Sequence, residues 1–342
     1  MQSGKKGKLN TIIRWLGTAL SLGILVWLLS KVGWKEAWET IKLLDWWRIV
    51  LVIGLVYVSR LATYLRWHAL LSVQDESIAD KEVLKLTFVG LFSSNFMPTT
   101  IGGDVFRLAG AVRLGVDSAL ATASLIADRI VGLTGMTLVL PLSIPGFVQY
   151  LKERSGSLSK VMPGSLFAII APSGSDGADP VGPEAEPDEV ARESFIKNGL
   201  RKLKNGWQKL REIFRYWIKN PLVLLKALAF TLVHQLAVYA IISLLITGMG
   251  EKLAFYQVAG IWSLTYFITL LPISVNGIGL AEVTITNLYT TLGGISPATS
   301  IALAIILRLL WMIGSIPGAF FIGDVLAGKE KADLTEGVEN EL

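Results

Sequence analysis

Gly115–Gly135 reads GVDSALATASLIADRIVGLTG, and Gly294–Gly314 reads GISPATSIALAIILRLLWMIG. Aligned without gaps, the two stretches agree at six of 21 positions, including Arg129 and Arg308 near the middle of each apolar run. Upstream of each copy lies a helix-breaking segment: Pro98-Thr-Thr-Ile-Gly-Gly-Asp104 before the first, Pro272-Ile-Ser-Val-Asn-Gly-Ile-Gly-Leu-Ala-Glu282 before the second. Glycine and proline breaks at corresponding places in two halves of a membrane protein point to a transport site.

Composition agrees with a membrane setting. Of 342 residues, 52% are hydrophobic and 17% charged, below the roughly 25% charged share of soluble domains. The mean hydropathy is +0.54. Runs such as Trp15–Ser30, Trp46–Leu65, Leu222–Ile246 and Ile301–Phe321 approach or exceed the ~20 residues that cross a bilayer core. Trp15, Trp27, Trp34, Trp38, Trp46 and Trp47 cluster near the ends of the first two runs, as interfacial rings do. The expected fold class is an all-α polytopic membrane protein, a single membrane domain over residues 1–342. With no cysteine and two histidines, neither a thiolate nor a His-ligated metal site is expected, and no cofactor.

Charge placement orients the spans. Lys5, Lys6, Lys8 and Arg14, with no acid among the first 14 residues, place the N-terminus in the cytoplasm ahead of an uncleaved first span. A second span over about 46–66 returns. The apolar stretch Val83–Phe96 is broken at Pro98 and Gly102-Gly103 and flanked by cationic residues on both sides. It reads as a re-entrant hairpin entered from inside, followed by a span at 118–142. In the second half, 222–247 leads out, Ala254–Leu271 with Ile278–Leu292 forms a hairpin entered from outside, and 298–326 returns. The expectation is therefore an inverted pair of span–hairpin–span repeats, 46–143 and 221–328. Between them lie an acidic, proline-rich disordered-type linker at 172–190 and a basic amphipathic helix at 192–219, read equally as interfacial or as packed on the protein. A further crossing is required between 143 and 191, and a short polar tail occupies 329–342. The basic residues sit at span ends, which fits an anionic leaflet of the cytoplasmic membrane and not nucleic acid.

Ionised groups inside hydrocarbon cost about 2.5–3.5 kcal/mol each on insertion scales, so they are functional candidates. They are Arg60, Asp104, Arg107, Asp128, Arg129, His234, Glu282 and Arg308, joined by Asn95 beside the first break. Arg60 precedes Pro98, and His234 precedes Pro272, by the same 38 residues. Asp104 and Arg107 share a helical face, whereas the neighbours Asp128 and Arg129 address different surroundings. Arginine's planar fork stays charged and matches phosphate oxygens, so paired arginines suit an anionic lipid headgroup. Gly102, Gly103, Gly277 and Gly279, with Pro98 and Pro272, read as hinges or points of close backbone approach. The competing reading makes these charges interhelical salt bridges, for instance Arg129 with Glu282 or Asp104 with Arg308. No P-loop, carboxylate cluster for a divalent metal, or Ser–His spacing is present, so no enzymatic activity is expected.

The string Asn95-Phe-Met-Pro-Thr-Thr-Ile-Gly-Gly-Asp104-Val-Phe-Arg107, the pair Asp128-Arg129, and Pro272 followed by Gly277-Ile-Gly279 and Glu282 resemble a known family. It is the flippase-like integral membrane domain of lysylphosphatidylglycerol synthases and its stand-alone relatives, over about residues 10–328. The resemblance implies translocation of an anionic or modified phospholipid, or of a polyprenyl-phosphate or other glycolipid carrier, between leaflets. The alternative reading is a lipid-binding partner subunit of a glycosyl- or aminoacyl-transferase that moves nothing itself. The sequence stops at Leu342 without a soluble aminoacyl-transfer domain, so synthesis of lysyl-lipid is not expected. The acidic stretch at 172–190 also departs from the full span expected there.

Overall fold

The computed structural model describes residues 34–72, 79–96, 102–148, 211–271 and 277–323. The first span at Trp15–Ser30, Pro98, Pro272, the acidic linker, the crossing sought after residue 148, most of the 192–219 helix and the tail lie outside the described residues.

After a short α1 (Trp34–Lys42), the chain forms α2 (Trp46–Leu71), α3 (Asp80–Phe96), α4 (Gly102–Arg113) and α5 (Ser118–Val139). The last continues through a 3₁₀ turn at Leu140–Ser143. The second half forms α6 (Pro221–Gly248), α7 (Phe255–Thr269), α8 (Leu280–Thr291) and α9 (Pro297–Ile313). With the helical stretch after α9 continuing to Gly323, each half runs long, short, short, long. The starts are set locally. Asp117 accepts from the N–H groups of Ala119 and Leu120 at 2.9 and 3.2 Å to cap α5. Pro221 and Pro297 occupy the opening turns of α6 and α9, where a missing N–H does no harm.

Among the described residues, four stretches are long and apolar enough to cross a bilayer: Trp46–Leu71, Ser118–Val148, Pro221–Gly248 and Pro297–Gly323. Their outer faces carry bare apolar side chains, such as Val50, Leu61, Leu225 and Leu236, a surface suited to lipid and not to water. No strand occurs among the described residues. The protein is an all-α, multi-pass membrane protein. One span differs from the sequence expectation: α2 continues past 66 to Leu71, because the apolar run resumes at Trp67 and Ala69-Leu70-Leu71. Arg66 is thereby carried into the bundle.

Two apolar cores lie towards opposite ends of α2 and α6. One joins Val52 and Val56 of α2 to the later part of α6 and to α7–α9. The other joins Trp67, Leu70 and Leu71 of α2 to α3–α5 and to Ala227 near the start of α6. Ile213 and Trp217, one helical turn apart, pack into this second core, so that end of the 192–219 segment rests on the protein. α2 and α6 make the most extensive helix contact. It is antiparallel: Arg66 meets Thr231, Ser59 meets His234, and Arg48 lies against Gly248.

α3 and α4 also run antiparallel in close contact. A Cβ on Gly103 would fall 2.0 Å from Ser94 Oγ and 2.3 Å from the Gly90 carbonyl oxygen, and one on Gly110 would strike Leu86. The break before α8 has a different use for glycine. Gly277 and Gly279 hold φ of +67° and +79°, a region costly for any residue with a Cβ.

Two outcomes follow. Gly103→Ala overpacks the α3–α4 contact and is expected to destabilise by about 1–3 kcal/mol. Gly54→Ala, where no atom lies within 4 Å of the added Cβ, is expected to be neutral or stabilising. Thermal unfolding in detergent compares them. At the start of α9, Glu251 accepts from Ser296 Oγ and Thr299 Oγ1 at 2.6 Å each and from Ser296 N–H at 3.0 Å. Burial raises the Glu251 carboxyl pKa, but these hydrogen bonds outweigh it and hold the group below its ordinary value. Its contribution is therefore present above the ordinary carboxyl pKa and lost as pH falls through the folded-state value. Glu251→Gln is expected to lower the unfolding temperature by a few degrees at neutral pH, with the gap closing in acid.

Candidate functional site

The breaks place an acid in the first turn of each following helix: Asp104 in α4 and Glu282 in α8. Each acid meets the arginine of the next long helix. Arg129 donates from Nε and Nη2 to Asp104 Oδ2 at 3.0 and 2.5 Å. Arg308 donates from Nε to Glu282 Oε1 and from Nη2 to the Gly277 carbonyl at 3.2 Å. The other Glu282 oxygen accepts the Gly279 N–H at 2.8 Å, satisfying one backbone donor at the start of α8. The ion pairs therefore form within each half, not across halves as Arg129–Glu282 or Asp104–Arg308. The reason is adjacency: α4 packs on α5, and α8 packs on α9.

A third carboxylate, Asp128 on α5, is 3% exposed and serves two guanidiniums. Arg66 of α2 grips it with Nε and Nη2 at 2.6 and 3.2 Å and sends Nη1 to Thr231 Oγ1 of α6 at 3.4 Å. Arg107 of α4 reaches the same carboxylate with Nη1 at 3.4 Å and approaches Asp104 at 3.5 Å. Its guanidinium lies over the Trp67 ring, 4.1 Å from the centroid, a favourable cation–π placement. Nε and Nη2 of Arg107 are buried without a hydrogen-bond partner among the described residues. Unmet donors on a buried cation are expensive unless something else accepts from them.

These groups converge on a cavity of about 500 Å³. Four arginines (66, 107, 129 and 308) face three carboxylates (Asp104, Asp128 and Glu282) around it, an excess of one positive charge with His234 neutral. The rest of the wall mixes aromatic and hydroxyl side chains, such as Trp262, Tyr266, Trp311, Thr87 and Thr265, with aliphatic ones such as Leu271, Ile285 and Leu307. No group of three His, Asp or Glu side chains that could hold a metal occurs among the described residues.

Of the sequence candidates, Asp104, Arg107, Asp128, Arg129, His234, Glu282 and Arg308 line this cavity, as do Gly103 and Gly277. Gly102 is buried in the first turn of α4, and Gly279 caps α8. Arg60 and Asn95 stand apart from it. Both donate to the Trp311 carbonyl, at 3.4 and 3.2 Å, and the Arg60 guanidinium lies over the Trp311 ring. They hold the end of α9. His234 is engaged by Ser59 Oγ at 2.8 Å across the α2–α6 contact. Of the cavity residues not singled out from the sequence, Arg66 and Gln235 bear most on the site. Arg66 was placed at a span end, although the apolar residues after it carry the helix onward. Gln235, 1% exposed, looks unremarkable beside His234 in an apolar run.

Comparison with known proteins places the chain in a family. A protein from Methanothermobacter thermautotrophicus described as a UPF0104 membrane protein is 20% identical over 302 residues, covering 83% of this chain and 88% of that protein. The family described as the lysylphosphatidylglycerol synthase TM region matches residues 14–318. This chain belongs to that family, and it is a multi-pass membrane protein of the flippase-like kind.

Proposed function

We propose that the protein is a translocase that carries an anionic, phosphate-bearing lipid between the leaflets of the cytoplasmic membrane. The observation that carries this reading is Arg107: a buried guanidinium in a cavity with one excess positive charge, with two N–H groups unspent. A phosphodiester supplies the missing charge and the missing acceptors together. A neutral ligand would leave the charge excess unmet, and a cation would increase it.

The inverted-repeat reading accounts for passage to both sides. The same order of helices in each half and the antiparallel α2–α6 contact support it. So do the first-turn acids paired with the arginine of the next long helix, Asp104–Arg129 and Glu282–Arg308. In this reading the α3–α4 and α7–α8 hairpins enter from opposite faces, with the N-terminus cytoplasmic. Each ion pair opens as a headgroup phosphate takes its arginine. The protein then works by transport and not by catalysis, as the site's chemistry suggests.

Leaflet-specific quenching of fluorescent phosphatidylglycerol in proteoliposomes tests this. Wild type is expected to make inner-leaflet lipid accessible, and Arg107→Gln, checked for folding by gel filtration, to slow exchange at least about tenfold, roughly 1.4 kcal/mol. Bound but immobile lipid in wild type would favour the partner-subunit role instead. Asp128→Asn leaves Arg66 and Arg107 without their shared counter-charge. It is expected to lower stability by about 3–5 kcal/mol, seen as a lower thermal midpoint in detergent.

A further inference from the structure

Gln235 is the polar group in the cavity wall that charge does not explain. It is 1% exposed, and neither its amide nitrogen nor its amide oxygen has a hydrogen-bond partner among the described residues. Its seat is shaped for it. A Cβ on Gly135 of α5 would fall 2.5 Å from Gln235 Nε2 and 2.7 Å from Thr231 Cγ2, so the amide occupies space that only glycine leaves open. An unpaired buried amide costs free energy, which a ligand with both a donor and an acceptor would recover.

The neighbouring hydroxyls narrow the ligand further. Thr87, Thr265 and Thr269 line the cavity, and each donates its hydroxyl hydrogen to its own helix, to the carbonyls of Val83, Ile261 and Tyr266 at 2.8 Å. With that hydrogen spent, each can only accept. A phosphate also only accepts, so it matches the arginines of the cavity and not these three hydroxyls. An ammonium group donates, but it would add positive charge where arginines already outnumber carboxylates. A hydroxyl donates to threonine and both donates to and accepts from a carboxamide.

We infer that the cavity selects a headgroup with free hydroxyls beyond its phosphate, a glycerol or sugar phosphate, and that Gln235 is the specificity-determining residue for those hydroxyls. The inference rests on the cavity being a lipid headgroup site.

Two phosphodiester lipids of equal charge separate the hydroxyls from the phosphate: phosphatidylglycerol has them and phosphatidylmethanol lacks them. Competition between the two for the purified protein, read by native mass spectrometry, is expected to favour phosphatidylglycerol by about five- to tenfold. Gln235→Leu should bring phosphatidylglycerol down to the phosphatidylmethanol level and leave phosphatidylmethanol unchanged. Gly135→Ala, which displaces the amide, should do the same. Equal retention by wild type, a measurement that needs no variant to fold, overturns the inference, as does a variant that weakens both lipids alike. Adding a polyprenyl phosphohexose to the competition identifies the source of the hydroxyls, glycerol or sugar, by which ligand is retained. Leaflet exchange of the same lipids is read separately. Selective binding without exchange would defeat the transport reading and leave the headgroup assignment standing.

Discussion

One carboxylate, Asp128, holds two guanidiniums in the interior of a bundle whose outer surface is made for lipid. Low dielectric makes that arrangement strong and also makes it unforgiving. Arg66 takes both oxygens in a bidentate grip, which leaves Arg107 a longer bond to an oxygen already engaged. Arg107 completes part of its environment with the Trp67 ring and the edge of Asp104, and still has donors to spare. The rest of the site follows from this shortage. A buried site with more cations than anions is stable only if its surroundings are rigid or if an anion visits it.

The rigidity comes from backbone contacts that side chains would prevent. Gly90 and Gly103 bring α3 against α4, which sets Arg107 over Trp67 and towards Asp128. On the far side, Gly260 of α7 meets the backbone of Leu142 and Ser143 at the end of α5, and Gly318 meets the Phe88 carbonyl. These contacts tie the helices of one half to those of the other around the cavity. The two acids at the helix starts differ in setting: Glu282 also accepts the Gly279 backbone N–H, whereas Asp104 answers to Arg129 and Arg107. Arg129 is also the more exposed of the two arginines, its side chain 53% exposed against 23% for Arg308. The two acid–arginine pairs are thus alike in arrangement and unequal in exposure.

Much of this was legible in the chain. Apolar run length identified the long helices, and the cost of charge in hydrocarbon singled out seven of the residues that line the cavity. The glycine breaks marked the places where short helices begin. What the sequence could not supply was pairing. Asp104 and Glu282 each had an arginine 25 or 26 residues on and another in the opposite half as candidate partners, and only helix adjacency decides between them. Arg66 was misplaced because an arginine near the end of an apolar run ordinarily marks the interface. The residues that followed carried it inward. Gln235 gave no signal, since a neutral amide in an apolar helix becomes conspicuous only once its lack of a partner is seen. Arg60 and Asn95 satisfied the same sequence criteria as the cavity residues and bind backbone instead, because both reach the Trp311 carbonyl first.

The central claim is that the unspent donors of Arg107 receive a lipid phosphate. High-resolution electron cryomicroscopy of the protein in nanodiscs of anionic lipid addresses it directly. Phosphate density is expected in the cavity within hydrogen-bond distance of Arg107 Nε and Nη2, with acyl chains leaving towards the membrane. Water or a protein group on those two nitrogens, with lipid phosphates confined to the outer surface, would contradict it.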